Sequence, residues 1–161
     1  MSDDMSAYRD VFLSESAEYL QAMSDGLIAL EADPNDLEPV ETIFRGAHSL
    51  KGMAAAMGYE RTQELTHRME SLMDTVRKRV QPADHSLIDL MLRAIDAVRE
   101  LIDDESSGGT AVDTTAIVTE VVARTTSVGA EAVPAQPSQR GATDASDGTL
   151  YCVRVTLEEA C

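Results

Sequence analysis

The sequence predicts an all-α protein: an antiparallel up-down four-helix bundle with a fifth C-terminal helix, followed by a linker and one truncated strand. Three observations carry this prediction. Apolar residues recur at spacings of three and four along four successive stretches. Short runs of turn formers and cap residues separate those stretches, so neighbours in sequence must run antiparallel. Hydrophobic residues make up 43% of the 161 residues but aromatics only 4%, and Trp is absent. Leu, Met, Ala and Val must then fill the core, which suits helix-on-helix packing better than a sandwich.

The first helix is marked by Phe12, Tyr19, Met23, Leu27 and Leu30, and Asp33-Pro34-Asn35-Asp36 breaks it. The second starts near Glu38, with Pro39 in the first turn, where a missing amide hydrogen costs nothing. Its stripe is Val40, Ile43, Ala47, Leu50, Ala54 and Met57, and Gly58 stands where a C-cap is needed. The third begins soon after Tyr59 with the stripe Leu65, Met69, Leu72, Val76 and Val80, and Pro82 lies beyond its end. Asp84 is the N-cap of the fourth, whose stripe is Leu87, Met91, Ala94, Ile95, Val98, Leu101 and Ile102. Ser106-Ser107-Gly108-Gly109 closes the bundle. A β-branched segment from Val112 to about Arg124, with Ile117 and Val121 one turn apart, predicts the fifth helix.

From Thr125 to Gly148 the chain is rich in Ala, Ser, Thr, Gly and Pro and has no hydrophobic period, as in a flexible linker. Tyr151, Val153, Val155 and Leu157 then alternate with Cys152, Arg154 and Thr156, the period of a strand. One strand cannot form a domain. The expected organisation is a helical domain over residues 1–128, a linker over 129–148 and the start of a second, cut domain over 149–161.

Charge and cysteines narrow the function classes. Acidic residues number 29 against 13 basic, a net charge of -16. Such a surface repels phosphate backbones and anionic lipid, so neither nucleic acid nor membrane insertion is expected. Lys occurs only at Lys51 and Lys78, and this acidic, Lys-poor composition suits a salt-adapted host. Cys152 and Cys161 form no CxxC element or disulfide framework. Met1–Asp10 is polar and acidic, unlike a secretory segment, and no run is long and apolar enough to span a bilayer. A reducing cytoplasm is the expected compartment.

The chemistry-bearing residues lie on helices two and three. His48 falls off the apolar stripe, so its imidazole should face outward, with Lys51 and Gly52 one turn along and Ala55 a further turn on. Glycine inside a helix costs about 1 kcal/mol relative to Ala. An exposed face that accepts Gly52 needs room for something large to approach, whereas Gly46, nearer the stripe, has close helix packing as an alternative. On helix three, His67 and Glu70 are also off the stripe, and the antiparallel hairpin lets them face His48 and Lys51.

This pattern fits a phosphate-accepting imidazole. One ring nitrogen must be bare and exposed as the nucleophile, while the other donates its hydrogen to an acceptor that fixes the tautomer. A cation should stabilise the added charge. Glu70 is the candidate acceptor and Lys51 the cation, with His67 completing a hydrogen-bonded network between them.

His48-Ser-Leu-Lys51-Gly52-Met-Ala-Ala-Ala-Met57-Gly58-Tyr59 and Leu65-Thr-His67-Arg-Met-Glu70-Ser-Leu-Met-Asp74, with Ile43-Phe44-Arg45 upstream, resemble the histidine phosphotransfer domain of CheA-type chemotaxis histidine kinases. The resemblance runs from about Tyr8 to Leu101. It implies that His48 is the phosphoacceptor, at Nε2, supported by Lys51, His67 and Glu70. The phosphoryl group would come from ATP bound by the kinase catalytic domain of the same protein, in the partner subunit of a dimer, and would pass to an aspartate of a chemotaxis response regulator. Arg45, Gly52 and Ala55 would line the docking face. Ala54 and Ala56 stand where family members often carry small hydroxyl residues. Tyr151–Cys161 is similar to the first strand of the regulator-docking domain of CheA proteins, which places dimerisation, ATP-binding and receptor-coupling domains beyond Cys161. Receptor and coupling protein would be reached through those domains.

Two other readings compete. Glu64-Leu-Thr-His67 is a Glu-x-x-His element of the kind di-iron bundles use, but no second copy is present and the helix stripes are apolar, so no metal is expected. A helical adaptor binding through the small-residue face of helix two, without chemistry, is the third class. His85, at the start of helix four, has no partner and reads as a surface residue. With no phosphate-cradling glycine loop, the chain is expected to hold no cofactor of its own.

Overall fold

The computed structural model describes residues 2–132. The expected strand, and the linker from residue 133 on, lie outside the described residues. Five helices follow one another: α1 (Ser2–Ala32), α2 (Leu37–Met57), α3 (Glu60–Arg77), α4 (His85–Ser106) and α5 (Thr115–Ala132). The first four close into a square in which α1 packs on α2 and α4, and α3 on α2 and α4. Chain neighbours thus lie side by side, as short connections require.

Local chemistry sets most of the boundaries. The Asp36 carboxylate accepts from the Glu38 amide at 3.0 Å and caps α2. Gly58 ends α2 in the left-handed region, at φ 75°. The amides of Gly58 and Tyr59 return to Ala55 and Ala54 at 3.1 and 2.9 Å, the paired bonds of a Schellman turn. Asp84 accepts from the Leu87 amide at 2.8 Å and caps α4, as the sequence predicts.

The core is aliphatic and sulfur-rich. Leu20, Met23, Leu27 and Leu30 of α1 meet Ile43 and Leu50 of α2, Leu65, Met69, Leu72 and Met73 of α3, and Leu87 and Met91 of α4, all fully buried. Phe12 stands edge-on to Tyr59, ring centres 5.2 Å apart, and ties α1 to the α2–α3 turn. Tyr19, expected in the core, is only partly buried at its margin.

Two expectations need correction. Val80 is 48% exposed and does not belong to the α3 stripe. The helix ends at Arg77, and Arg79 turns the chain in the left-handed region at φ 59°. The amides of Arg79 and Val80 bond back to Val76 and Thr75, a second Schellman turn built without glycine. Pro82 keeps Gln81 out of the helical region, so the helix could not have run on past Val80. The fifth helix starts at Thr115, where Asp113 caps the first amide at 2.9 Å, and continues to Ala132 instead of ending near Arg124. Val112 therefore precedes it. Val121 is the buried anchor of α5, and Arg93–Glu120 and Arg124–Asp84 ion pairs, at 2.9 and 2.8 Å, pin it to α4 and its cap.

Candidate functional site

The hairpin of α2 and α3 gathers the site. Pro39, Val40, Ile43, Ala47, Leu50 and Ala54 are buried on one side of α2, which leaves His48 on the other. Leu65, Met69, Leu72 and Val76 hold α3 in the same way and present Glu70 to α2. His48 Nδ1–H donates to Glu70 Oε2. Lys51 Nζ donates to Glu70 Oε1 at 2.8 Å. One carboxylate therefore serves both residues, one oxygen each.

Exposure separates their capacities. The His48 side chain is 65% exposed, Lys51 27% and Glu70 13%. Burial alone would raise the Glu70 carboxyl, but the hydrogen bonds from Lys51 and His48, with the positive charge of Lys51, outweigh it and hold the group below its usual range. Glu70 is thus a carboxylate at neutral pH and an acceptor only. It fixes the proton on Nδ1, so in the neutral imidazole the lone pair is on Nε2, in a side chain that is largely exposed. An imidazole in that state is a nucleophile, and Lys51 one turn away provides positive charge for an anionic group added to it.

His67 departs from expectation. It does not bridge Glu70 and Lys51, because Lys51 reaches Glu70 directly. Its ring takes part in no hydrogen bond among the described residues; only its carbonyl accepts, from Ser71 Oγ at 3.1 Å. It shares with Lys51, Glu60, Gln63 and Glu64 the wall of a polar hollow of about 430 Å³, beside the His48–Glu70 pair. Glu64 pairs with Arg68 at 2.7 Å, and among the described residues no group of three or more His, Cys, Asp or Glu side chains could hold a metal ion.

The remaining candidates share the His48 face. Arg45 is exposed, with Glu41 at 3.8 Å. Gly52 and Ala55 are exposed, and a Cβ added at Gly52 would meet nothing within 4 Å. Gly46 has the other explanation: it is buried, and an added Cβ would lie 2.6 Å from Met23 Cγ. His85 is exposed, with Nδ1 3.0 Å from Glu31 Oε1.

An apolar groove escaped the sequence reading. Met5, Tyr8 and Val11 of α1, all more than half exposed, face Met53, Ala56 and Met57 of α2 across a space of about 380 Å³. Their spacing of three along α1 is the available signal, hidden because the main stripe of that helix lies further along the chain. No helix among the described residues is long and apolar enough to cross a membrane.

Comparison with known proteins gives a family match. Residues 7–101 match the Hpt domain family. The chemotaxis protein CheA of Bacillus subtilis (strain 168) is 41% identical over 106 residues, covering 66% of this chain and 16% of that protein. The chain thus spans about a sixth of that relative's length. The CheA phosphotransferase domain from Thermotoga maritima is 34% identical, with a TM-score of 0.59 over 62% of this chain and 95% of that one. The phosphorylated P1 domain of CheA3 from R. sphaeroides, solved in complex with CheY6, is 25% identical, with a TM-score of 0.68 over 76% of this chain and 98% of that one.

Proposed function

The chain belongs to the Hpt domain family, and from that premise we propose that His48 is a phosphoacceptor which takes the γ-phosphoryl group of ATP and passes it to an aspartate of a chemotaxis response regulator. The observation that carries this reading is the division of Glu70 between His48 Nδ1–H and Lys51. In the neutral imidazole it leaves the lone pair on Nε2.

In the first step the Nε2 lone pair attacks the γ-phosphorus. The P–N bond forms, the P–O bond to the β-phosphate breaks, and ADP leaves with the electron pair. The ring gains positive charge, which Glu70 stabilises through the Nδ1–H bond. In the second step an aspartate carboxylate attacks the same phosphorus, and Nε2 leaves with its pair as a neutral imidazole. No proton has to move at Nε2 in either direction. Lys51 offsets phosphoryl charge throughout, and His67 contributes to the polar hollow beside it.

ATP is bound by the catalytic domain of the same kinase, acting from the partner subunit of a dimer in the cytoplasm, and receptor and coupling protein connect through other domains. The regulator approaches over Arg45, Gly52 and Ala55. The open space at Gly52 supports that face, and the adjoining groove of Met5, Tyr8, Val11 and Met53 supplies apolar area for the same contact. Incubation with the catalytic domain of a CheA-type kinase and labelled ATP should give acid-labile, base-stable label. Label that persists in His48→Gln refutes the assignment; the adaptor reading is favoured if no label forms and regulator binding is unchanged.

A further inference from the structure

We infer that Glu105 and Arg61 are positioning residues for the His48 reaction: they fix the start of α3, and with it Glu70, from the segment by which the chain leaves the bundle. The inference rests on the phosphoacceptor reading of His48. Its foundation is an unusual cap. Tyr59, the N-cap residue of α3, makes no side-chain cap bond. Two of the first-turn amides are satisfied instead by a carboxylate from another helix. Glu105, near the end of α4, accepts from the Arg61 amide at 3.1 Å and from the Thr62 amide at 2.9 Å. It also accepts from Thr62 Oγ1 at 2.6 Å, and Thr62 is fully buried.

Negative charge at a helix N-terminus is stabilising, and here it anchors the whole helix to α4. The Arg61 side chain completes a clasp. Its guanidinium donates to Asp104 Oδ2 at 2.7 Å, to the Gly109 carbonyl at 2.9 Å and to the Val112 carbonyl at 3.0 Å. The Arg61 contact holds the Asp104 carboxyl below its usual range. Gly109 is required by the closeness of this packing, since an added Cβ would fall 2.2 Å from Asp104 Oδ1. One side chain therefore grips both the end of α4 and the 109–112 segment that leads to α5.

α3 is a stiff rod between this clasp and Glu70. A small axial shift at its start moves the carboxylate against His48 Nδ1, and sub-ångström placement governs such contacts. The sequence around Glu105 and Arg61 otherwise has no part in the reaction, as neither touches His48 or Lys51.

The test uses the full chain. The His48 tautomer is read by nitrogen NMR at neutral pH, and phosphorylation is timed with the catalytic domain of a CheA-type kinase and labelled ATP. Glu105→Ala should keep its helical signal, lower the share of Nδ1–H tautomer at His48, and slow labelling by about fivefold. Glu105→Gln, which retains an acceptor oxygen, should recover part of both. A Glu105→Ala protein with the wild-type tautomer overturns the inference, whatever its labelling rate. If Glu105→Ala does not fold, Arg61→Lys answers the same question with the same tautomer reading. Failure of the phosphoacceptor reading is separate: it shows as label surviving His48→Gln, and leaves the tautomer measurement intact.

Discussion

Glu70 holds His48 with one carboxylate oxygen and Lys51 with the other, so the tautomer of the imidazole and the place of the cation are set by a single side chain. The pairing gives a direct prediction. Glu70→Gln can still accept at one atom but loses its charge, so the Nδ1 proton is held less firmly and Lys51 is released. Labelling of His48 should slow by roughly tenfold, the scale of about 1.4 kcal/mol in the barrier. The far-ultraviolet circular dichroism should not change, because Glu70 lies off the buried stripe of α3. Wild-type kinetics in Glu70→Gln would remove the tautomer argument.

The depressed Glu70 carboxyl also makes a pH prediction. A group whose folded-state pKa is lowered adds stability that is fully present above its unfolded value and is lost as pH falls through the folded one. For Glu70 the unfolded reference is 4.5, and Lys51 and His48 hold the folded value beneath it against the opposing effect of burial. Urea melts of wild type and Glu70→Gln should therefore differ throughout the range above pH 4.5. The difference should shrink below pH 4.5 and vanish once Glu70 is protonated in both states. An advantage that grows as pH falls below 4.5 would contradict the assigned direction.

Leu72 and Val80 test where the stripe of α3 ends. Periodicity places both on it, but Leu72 is fully buried and Val80 is 48% exposed beyond the helix. Leu72→Ala should cost about 2–5 kcal/mol in denaturant melts. Val80→Ala should stay within about 0.5 kcal/mol of wild type. Equal losses would mean that α3 continues past Arg77.

What the sequence could convey depended on how local the cause was. Asp84 and Gly58 are legible because a cap acts on amides and carbonyls within a turn of it. His48, Lys51 and Glu70 are legible because helical spacing and hairpin pairing suffice to oppose them. The left-handed turn at Arg79 is not, since no glycine advertises it. Nor is the cap of α3, whose carboxylate at Glu105 sits on another helix and reaches Thr62 only after folding. The extension of α5 to Ala132 overrides a stretch of Thr, Ser and Gly with weak helical preference. His67 shows the limit of pairing arguments: it lies on the expected face, but which neighbour Lys51 chooses is decided by reach.

Gly46 and Gly52 occupy the same helix for opposite reasons, and one substitution separates them. At Gly52 a Cβ meets open space, so Gly52→Ala removes only the helix penalty of glycine and should stabilise by about 0.5–1 kcal/mol. At Gly46 a Cβ would press within 2.6 Å of Met23 Cγ and 2.9 Å of its sulfur. Met23 is fully buried and cannot swing into solvent, so relief must come from repacking its side chain within the core or from separating α1 and α2. Gly46→Ala should lower stability by about 1–3 kcal/mol despite its better helix propensity. The functional effect should run the other way. Gly52 lies on the His48 face, so a larger replacement such as Gly52→Leu should impede transfer to the regulator while the melting temperature holds. A Gly52→Leu protein that transfers at the wild-type rate would show that the open face is not used for docking.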